Sequence, residues 1–491
     1  MACKWDISME AATPFPDTSP TMKYRLTMPT KQRTVLSILL ASPILAAAAT
    51  AQPVDLIVTH AYVVTMNASK QIYADGAVVI KDGRIVAVGP STIAKSYVSA
   101  QTIDAAGDIV MPGMINTHTH ASMTVFRGLG DDVPERLQRF IFPLEHKLVD
   151  REIVYWGALY GMVEMLEGGV TTIADMYYFE DEVARAARKI GMRGILGETI
   201  LNAPAPDAKE PYGGFEYARK FIQEFAGDPL VTPAFAPHAP YTVDAEHLRI
   251  VEKEAGALDA PILMHVAEMP YEVADIKKEF NKTPIEYLDS IGLLTKRLVA
   301  AHCIFASDSD IALLKARDVG VAHNMVSNIK SAKGVAPAWT MFKQGVRVGL
   351  GTDGPMSGNT LDIIGQLGYV AKVQKLSNHD RNIMPAVDVV EMATVGGARA
   401  LHMDDRIGSL ENGKLADLIV LDRSATTWTP FYDVYSTLVY AASPHDVRTT
   451  IVQGRVIMED RQIKTVDVAD VREHMRTLSG KIAAAVAQGV Q

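Results

Sequence analysis

His118 and His120 stand one residue apart in the stretch INTHTHASM, residues 115 to 123, at the end of an apolar run. On a β-strand, residues i and i+2 share a face, so the two imidazoles would project together. Converging neutral imidazoles suit a transition metal, although a His-Thr-His pair in a strand is also an ordinary hydrogen-bonded structural pair. The decision rests on whether the chain supplies further ligands. His238 in FAPHAP, His265 in ILMHVAE, His302 in LVAAHC and Asp353 in VGLGTDG each fall at or just past the end of an apolar run, and Glu268 follows His265 by three residues. A lone histidine in such a place is usually a satisfied core residue. Six ligand-type residues at corresponding places are poorly explained by packing.

His118, His120 and His265 offer three nitrogens and Asp353 a carboxylate, leaving a position for water, which is the open site a hydrolytic zinc requires. A second metal would need a bridging ligand such as a carboxylated lysine after the fourth run, and FAPHAP holds no lysine. The expected cofactor is therefore one divalent ion per chain, Zn²⁺, with Fe²⁺ and Mn²⁺ as alternatives. The attacking water must lose a proton and the leaving group must gain one. Glu268, just beyond a ligand, is the expected proton shuttle. His302 is placed to hold and polarise the water, with a fifth ligand as its other reading. Asp353 could accept the water's proton while touching the metal.

These residues need strands to carry them. The runs GMINTHTH, VTTIADMY, RGILGET, VTPAFAPH, PILMHVAE, LVAAHC, VGVAHNM and VRVGLGTDG alternate with helix-length segments such as 151–167, 181–190 and 308–317. Eight strand–helix units predict an α/β chain closing into a (β/α)₈ TIM-type barrel, whose active sites lie at the C-terminal strand ends. An open doubly wound sheet is the rival, but no GxGxxG turn follows the first strand. Residues 54–110 read instead as short β runs, with Lys-Asp-Gly at 81–83 as a hairpin signal. The same texture returns in GKLADLIVLD and VRTTIVQGRVIMEDRQI. The flanks are expected to build one small β-sandwich domain, from 52–110 and 401–491 (ending in a helix), around a barrel at 111–400.

The chain has 491 residues, 48% hydrophobic and 21% charged, with a net charge of −9. That balance, without a basic run, argues against a nucleic-acid surface. A small molecule is the expected partner, with a homo-oligomer left open. Two cysteines exclude a disulfide framework. KQRTVLSILLASPILAAAATAQP, from Lys31, has the basic, apolar and small-residue order of a secretory signal, with cleavage expected after Ala51. A periplasmic or secreted protein without a membrane anchor follows; an unprocessed segment would leave it cytoplasmic. Residues 1–27 fit poorly before a signal, and translation could start at Met22 or Met28, so residues 1–51 are set apart from the fold.

In order along the chain, PGMINTHTHASMTVFRGLGDD, FPLE, APHAPYT, HVAE, AHC, HNMVSNIKSAKG and GTDGPMSGN, with the late GGARALHMDDRIGSLENGKLADLIVLD, resemble the amidohydrolase superfamily. The likeness is to its 5-methylthioadenosine/S-adenosylhomocysteine deaminase branch, over roughly residues 54–465. The resemblance implies metal ligation by His118, His120, His265 and Asp353, proton transfer by Glu268 and water orientation by His302. It also implies that Glu145 of FPLE binds ribose hydroxyls and that His238 contacts substrate, whereas spacing alone reads Glu145 equally well as a charge at a helix start. The family's arginine between strands three and four has no counterpart, since that stretch offers only Arg219. His323, Asn324 and Lys330 match a family signature and are read as shaping the loop after strand seven. The implied activity is hydrolytic deamination of a purine nucleoside (5-methylthioadenosine, S-adenosylhomocysteine or adenosine) to the inosine analogue and ammonia. The alternative is an aminohydrolase or chlorohydrolase of guanine, a pterin or a triazine; a scaffold that has lost its ligands is disfavoured by their presence.

Overall fold

The computed structural model describes residues 51–489; the signal-like segment before Ala51 lies outside the described residues. Eight parallel strands follow one another in sheet order as in sequence: β6 (Met114–Thr119), β7 (Val170–Tyr177), β8 (Arg193–Ile200), β9 (Val231–Pro237), β10 (Ile262–Val266), β11 (Leu298–His302), β12 (Gly320–His323) and β13 (Arg347–Leu350). Most are buried from end to end, because a barrel strand has side chains in the lumen on one face and helices on the other. Helices Arg151–Glu167, Glu180–Ile190 and Asp308–Ala316 occupy the segments the alternation predicted.

The barrel is nearly closed, and its seam lies between β6 and β13. Asn116 Oδ1 accepts from the Thr352 N–H at 3.1 Å, and Asn116 Nδ2 donates to Thr352 Oγ1 at 2.8 Å. Glycine is needed at the seam: a Cβ on Gly351 would lie 2.2 Å from Asn324 Oδ1 and 3.0 Å from the His118 nitrogen.

Outside the barrel, a nine-stranded mixed sheet takes strands from both flanks. β1 (Gln52–Val64), β2 (Ile72–Lys81), β3 (Arg84–Pro90), β4 (Tyr97–Asp104) and β5 (Ile109–Pro112) precede the barrel, and β14 (Leu418–Leu421), β15 (Val447–Val452), β16 (Arg455–Glu459) and β17 (Gln462–Ile463) follow it. β5 and β14 pair antiparallel and join the two sets. The sheet folds over itself: Val78 and Ile80 of β2 share one apolar core with Leu418, Val420 and Ile451, to which their strands are not hydrogen-bonded. The β2–β3 turn has Asp82 at φ 50° and Gly83 at φ 73°, the paired positive values that a two-residue type I′ hairpin needs.

The flanking sheet is joined to the barrel by Arg193 of β8 and Asp417, both almost wholly buried and paired through two contacts at 3.0 and 3.3 Å. The C-terminal helix Val468–Ala487 buries Val471, Met475, Leu478 and Ile482 in the main core. Among the described residues, no helix is long and apolar enough to cross a membrane.

Candidate active site

All six strand-end residues converge at the C-terminal mouth of the barrel. His118 lies within β6 and His120 just past its end; His265 is in β10, His302 ends β11, and His238 and Asp353 lie just beyond β9 and β13. His120 Nε2 is 3.3 Å from Asp353 Oδ1 and 3.4 Å from His265 Nε2, and His118 Nε2 is 3.8 Å from the same carboxylate oxygen. Two donors each 2.0–2.1 Å from a tetrahedral ion stand about 3.3–3.4 Å apart, so this spacing fits one shared cation.

The outer nitrogens are held in a way that turns lone pairs inward. His120 Nδ1 donates to the Met176 carbonyl at 2.5 Å and His265 Nδ1 to the His238 carbonyl at 2.9 Å, the backing that orients metal-binding imidazoles. His118 Nε2 is buried without a hydrogen-bond partner, a cost that a cation would remove. Burial, with the neighbouring histidines, holds His118 and His265 well below the usual imidazole range, in the neutral ligating form. Burial also pushes His120 down, but the facing Asp353 carboxylate outweighs it and draws His120 up to about 9. The pair thus calls for positive charge between its members. Burial would raise Asp353, but His120, His302 and His118 keep it well below the carboxylate range.

Next to this set, His302 Nε2 lies 3.5 Å from Glu268 Oε1 and 3.8 Å from Asp353 Oδ2. Its ligating atom is also within 4.8 Å of those of His118 and His265. Glu268 sits in the turn after β10, where Glu272 receives the N–H groups of Ala267 and Glu268 at 2.7 and 2.9 Å and sets the turn's course. Burial pushes the Glu268 carboxyl up, but His302 and the Lys333 ammonium prevail and hold it ionised. His302 (φ 75°) and Asp353 (φ 60°) are non-glycine residues in the left-handed region; such sparsely populated conformations cost about 1–3 kcal/mol each and cluster at functional sites.

The site opens into a cavity of about 470 Å³ lined in part by His120, Glu145, His238, His265, Glu268 and Asp353. His118 and His302 lie behind that wall, almost completely buried. Glu145, on the helix Phe142–Leu148, is buried and accepts from Tyr177 Oη at 2.7 Å. Burial pushes its carboxyl up to about 7, although Tyr177 and His120 pull the other way. His238 Nδ1 lies 3.1 Å from Thr242 Oγ1, and burial lowers the ring to about 4, so it meets the cavity uncharged.

Three further residues act on this constellation, all from the segment after β12. Ser327 Oγ donates to Asp353 Oδ2 at 2.6 Å, Asn328 Oδ1 accepts from His302 Nδ1 at 2.8 Å, and Lys333 Nζ contacts Glu268 Oε1 at 2.5 Å. HNMVSNIKSAKG carries all three, but its sequence singles out only His323, Asn324 and Lys330, as loop-shaping residues. Lys330 binds Asp131 at 2.8 Å on the loop after β6, while His323 and Asn324 are buried at the end of β12. Arg219 pairs with Glu254 on the outer surface and does not line the cavity; the arginine that does is Arg136.

Comparison with known proteins agrees with this architecture. The chain is 42% identical over 431 residues to a 5-methylthioadenosine/S-adenosylhomocysteine deaminase of Syntrophobacter fumaroxidans, covering 87% of this chain and 98% of the relative. It is 40% identical over 435 residues to a 5'-deoxyadenosine deaminase of Methanosarcina acetivorans, covering 88% and 99% of the two chains. Among solved structures, an adenosine deaminase from Xanthomonas campestris with bound zinc superposes with a TM-score of 0.86 at 35% identity, over 88% of this chain and 99% of that one. Residues 109–457 match the model of the amidohydrolase family. With the barrel, the inward-facing histidines and these matches together, the chain belongs to the amidohydrolase family.

Proposed function

We propose that this protein is a metal-dependent hydrolytic deaminase of adenine nucleosides, adding water to the amino-bearing ring carbon and releasing ammonia. The observation that carries this reading is the juxtaposition of an inward-facing His/His/His/Asp set with Glu268 at the wall of a nucleoside-sized cavity. The deaminase names of relatives that match nearly end to end support it. 5-Methylthioadenosine, S-adenosylhomocysteine and adenosine are the substrates proposed.

His118, His120, His265 and Asp353 would hold one divalent ion, Zn²⁺ by analogy with the Xanthomonas campestris enzyme. Bound there, such an ion supplies Lewis acidity to the attacking water. The chain's own groups move the protons. Glu268, ionised at rest, takes a proton from water and delivers it to the ring nitrogen beside the attacked carbon. Asp353 takes up the water's remaining proton as the C–O bond forms, and His302, 3.8 Å from that carboxylate, orients the water's O–H toward it. When the exocyclic C–N bond breaks, that proton leaves with the nitrogen as ammonia. Glu145 would accept hydrogen bonds from the ribose hydroxyls, with Tyr177 orienting it, and the uncharged His238 would contact the base or sugar.

The test is ammonia release by the metal-loaded protein, screened over adenosine, 5-methylthioadenosine, S-adenosylhomocysteine, guanine, pterins and aminotriazines. Adenine nucleosides should be turned over best. Activity confined to the other heterocycles would overturn the reading.

We further infer export to the periplasm, supported by the order of Lys31 and Arg33, the apolar stretch from Val35 to Ala49, and Ala49 and Ala51. Mature periplasmic protein should begin near Gln52. A cytoplasmic protein retaining residues 30–51 would sink this inference.

A further inference from the structure

We propose that Lys333 is a positioning residue for catalysis: it anchors one oxygen of Glu268, so that the other is aimed at the substrate. This rests on the deaminase reading and adds to it a residue on the loop after β12.

The geometry is specific to one oxygen. Lys333 Nζ lies 2.5 Å from Glu268 Oε1, and His302 Nε2 lies 3.5 Å from that same atom. Among the described residues, Glu268 Oε2 makes no hydrogen bond, yet it is not a buried orphan, since Glu268 forms part of the cavity wall. A carboxylate held by one oxygen has lost most of its rotation, and the free oxygen is restricted to a small arc. Such restriction is what a proton shuttle needs, because transfer requires heavy atoms at hydrogen-bond distance along a fixed line.

Charge explains why a lysine does this. Glu268 and Asp353 are both buried and both flank His302, at 3.5 and 3.8 Å. Two carboxylates buried in one site repel unless positive charge is placed beside them. The Lys333 side chain is only 14% exposed and reaches Glu268 across the cavity from a different strand loop.

The backbone of Lys333 is fixed by the same segment that holds the other catalytic groups. Its N–H donates to the Asn328 carbonyl at 2.9 Å, and the Asn328 side chain holds His302. One short stretch, 327–333, therefore seizes Asp353 through Ser327, His302 through Asn328 and Glu268 through Lys333. The tight turn that presents Lys333 includes Ala332 at φ 50° and Gly334 at φ 137°. A loop that merely closed the β12–β13 connection would not need three polar side chains aimed at three different strand ends.

The experiment compares wild type, Lys333→Met and Lys333→Arg as metal-loaded full-length proteins, on the best adenine nucleoside of the screen. Lys333→Met should retain its metal and lower kcat by about tenfold or more while KM changes less than about threefold, and Lys333→Arg should recover most of the loss. Binding gives a readout independent of turnover. Affinity for a purine riboside analogue with a tetrahedral hydroxyl-bearing carbon at the reacting position should fall about tenfold in Lys333→Met, while affinity for inosine stays near wild type. A lysine that only stabilised the loop would lower the melting temperature without splitting kcat from KM, and that result overturns the proposal. So does wild-type kcat in Lys333→Met, which leaves the deaminase reading standing. A wild-type protein inactive on every adenine nucleoside overturns both.

Discussion

The carbonyl oxygen of His118 accepts hydrogen bonds from the backbone N–H of Asp353 at 3.0 Å and of Thr352 at 3.1 Å. This contact joins the first barrel strand to the loop leaving the last. The bond that brings the strand ends together also brings the His118 imidazole and the Asp353 carboxylate within 3.8 Å. Since the backbone makes the bond, side-chain substitutions at His118 leave the seam in place.

His118→Ala should thus fold normally and lose its metal, because the remaining donors hold an ion poorly. Wild-type protein should contain one tightly bound ion per chain by elemental analysis. Two tightly bound ions per active chain would contradict the single shared site.

Glu268→Gln should keep the metal and the fold, since the amide has the size of the carboxyl but cannot cycle a proton. Removing a general acid costs about two to four powers of ten in rate, so turnover should fall at least about a hundredfold with KM much less affected. Near-normal turnover would show that Glu268 is a structural charge at the strand end.

Glu145 gives a pH dependence whose sign can be worked out. Burial raises its carboxyl from an ordinary 4.5 to about 7, so between those values the folded chain keeps a proton that the unfolded chain has released. Its contribution to stability is present below the unfolded value and declines as pH rises through this window. Glu145→Gln should flatten that part of the slope, measured as urea midpoints at about pH 5 and about pH 8. The same variant should raise KM for nucleosides. An unchanged slope with unchanged KM would remove Glu145 from the cavity's working groups.

Asp417→Ala strips the buried Arg193 guanidinium of its partner and frees the Gln453 N–H that Asp417 accepts at 2.7 Å. Breaking one side of a buried pair costs about 3–5 kcal/mol. The variant should unfold at markedly lower denaturant concentration while the folded fraction retains its metal. A loss below about 1 kcal/mol would mean that solvent reaches the pair.

Much of the site was legible because it depends on local periodicity. The i, i+2 parity of a strand puts His118 and His120 on one face wherever the strand lies. Eight repeats of strand and helix permit a closed parallel ring, whose strands all end at the same mouth, so His238, His265, His302 and Asp353 could be gathered from their places at the ends of apolar runs. Lys-Asp-Gly at 81–83 marked its hairpin through turn chemistry alone.

What the tertiary structure decided are contacts between residues whose separation in sequence carries no pattern. Lys333 is 65 positions from the glutamate it holds, and Asn328 is 26 from His302. Neither spacing has a period, because the chain between them leaves the mouth through outer helices and returns to it through further barrel strands. Glu145 looks like an ordinary charge near a helix start until Tyr177, from the neighbouring strand, closes over it. Arg136, and not the outward-facing Arg219, reaches the cavity because the loop after the first strand folds back across the mouth. Strand parity and repeat count are properties of the backbone and can be read along one dimension, whereas these side-chain contacts come into being only once the ring is closed.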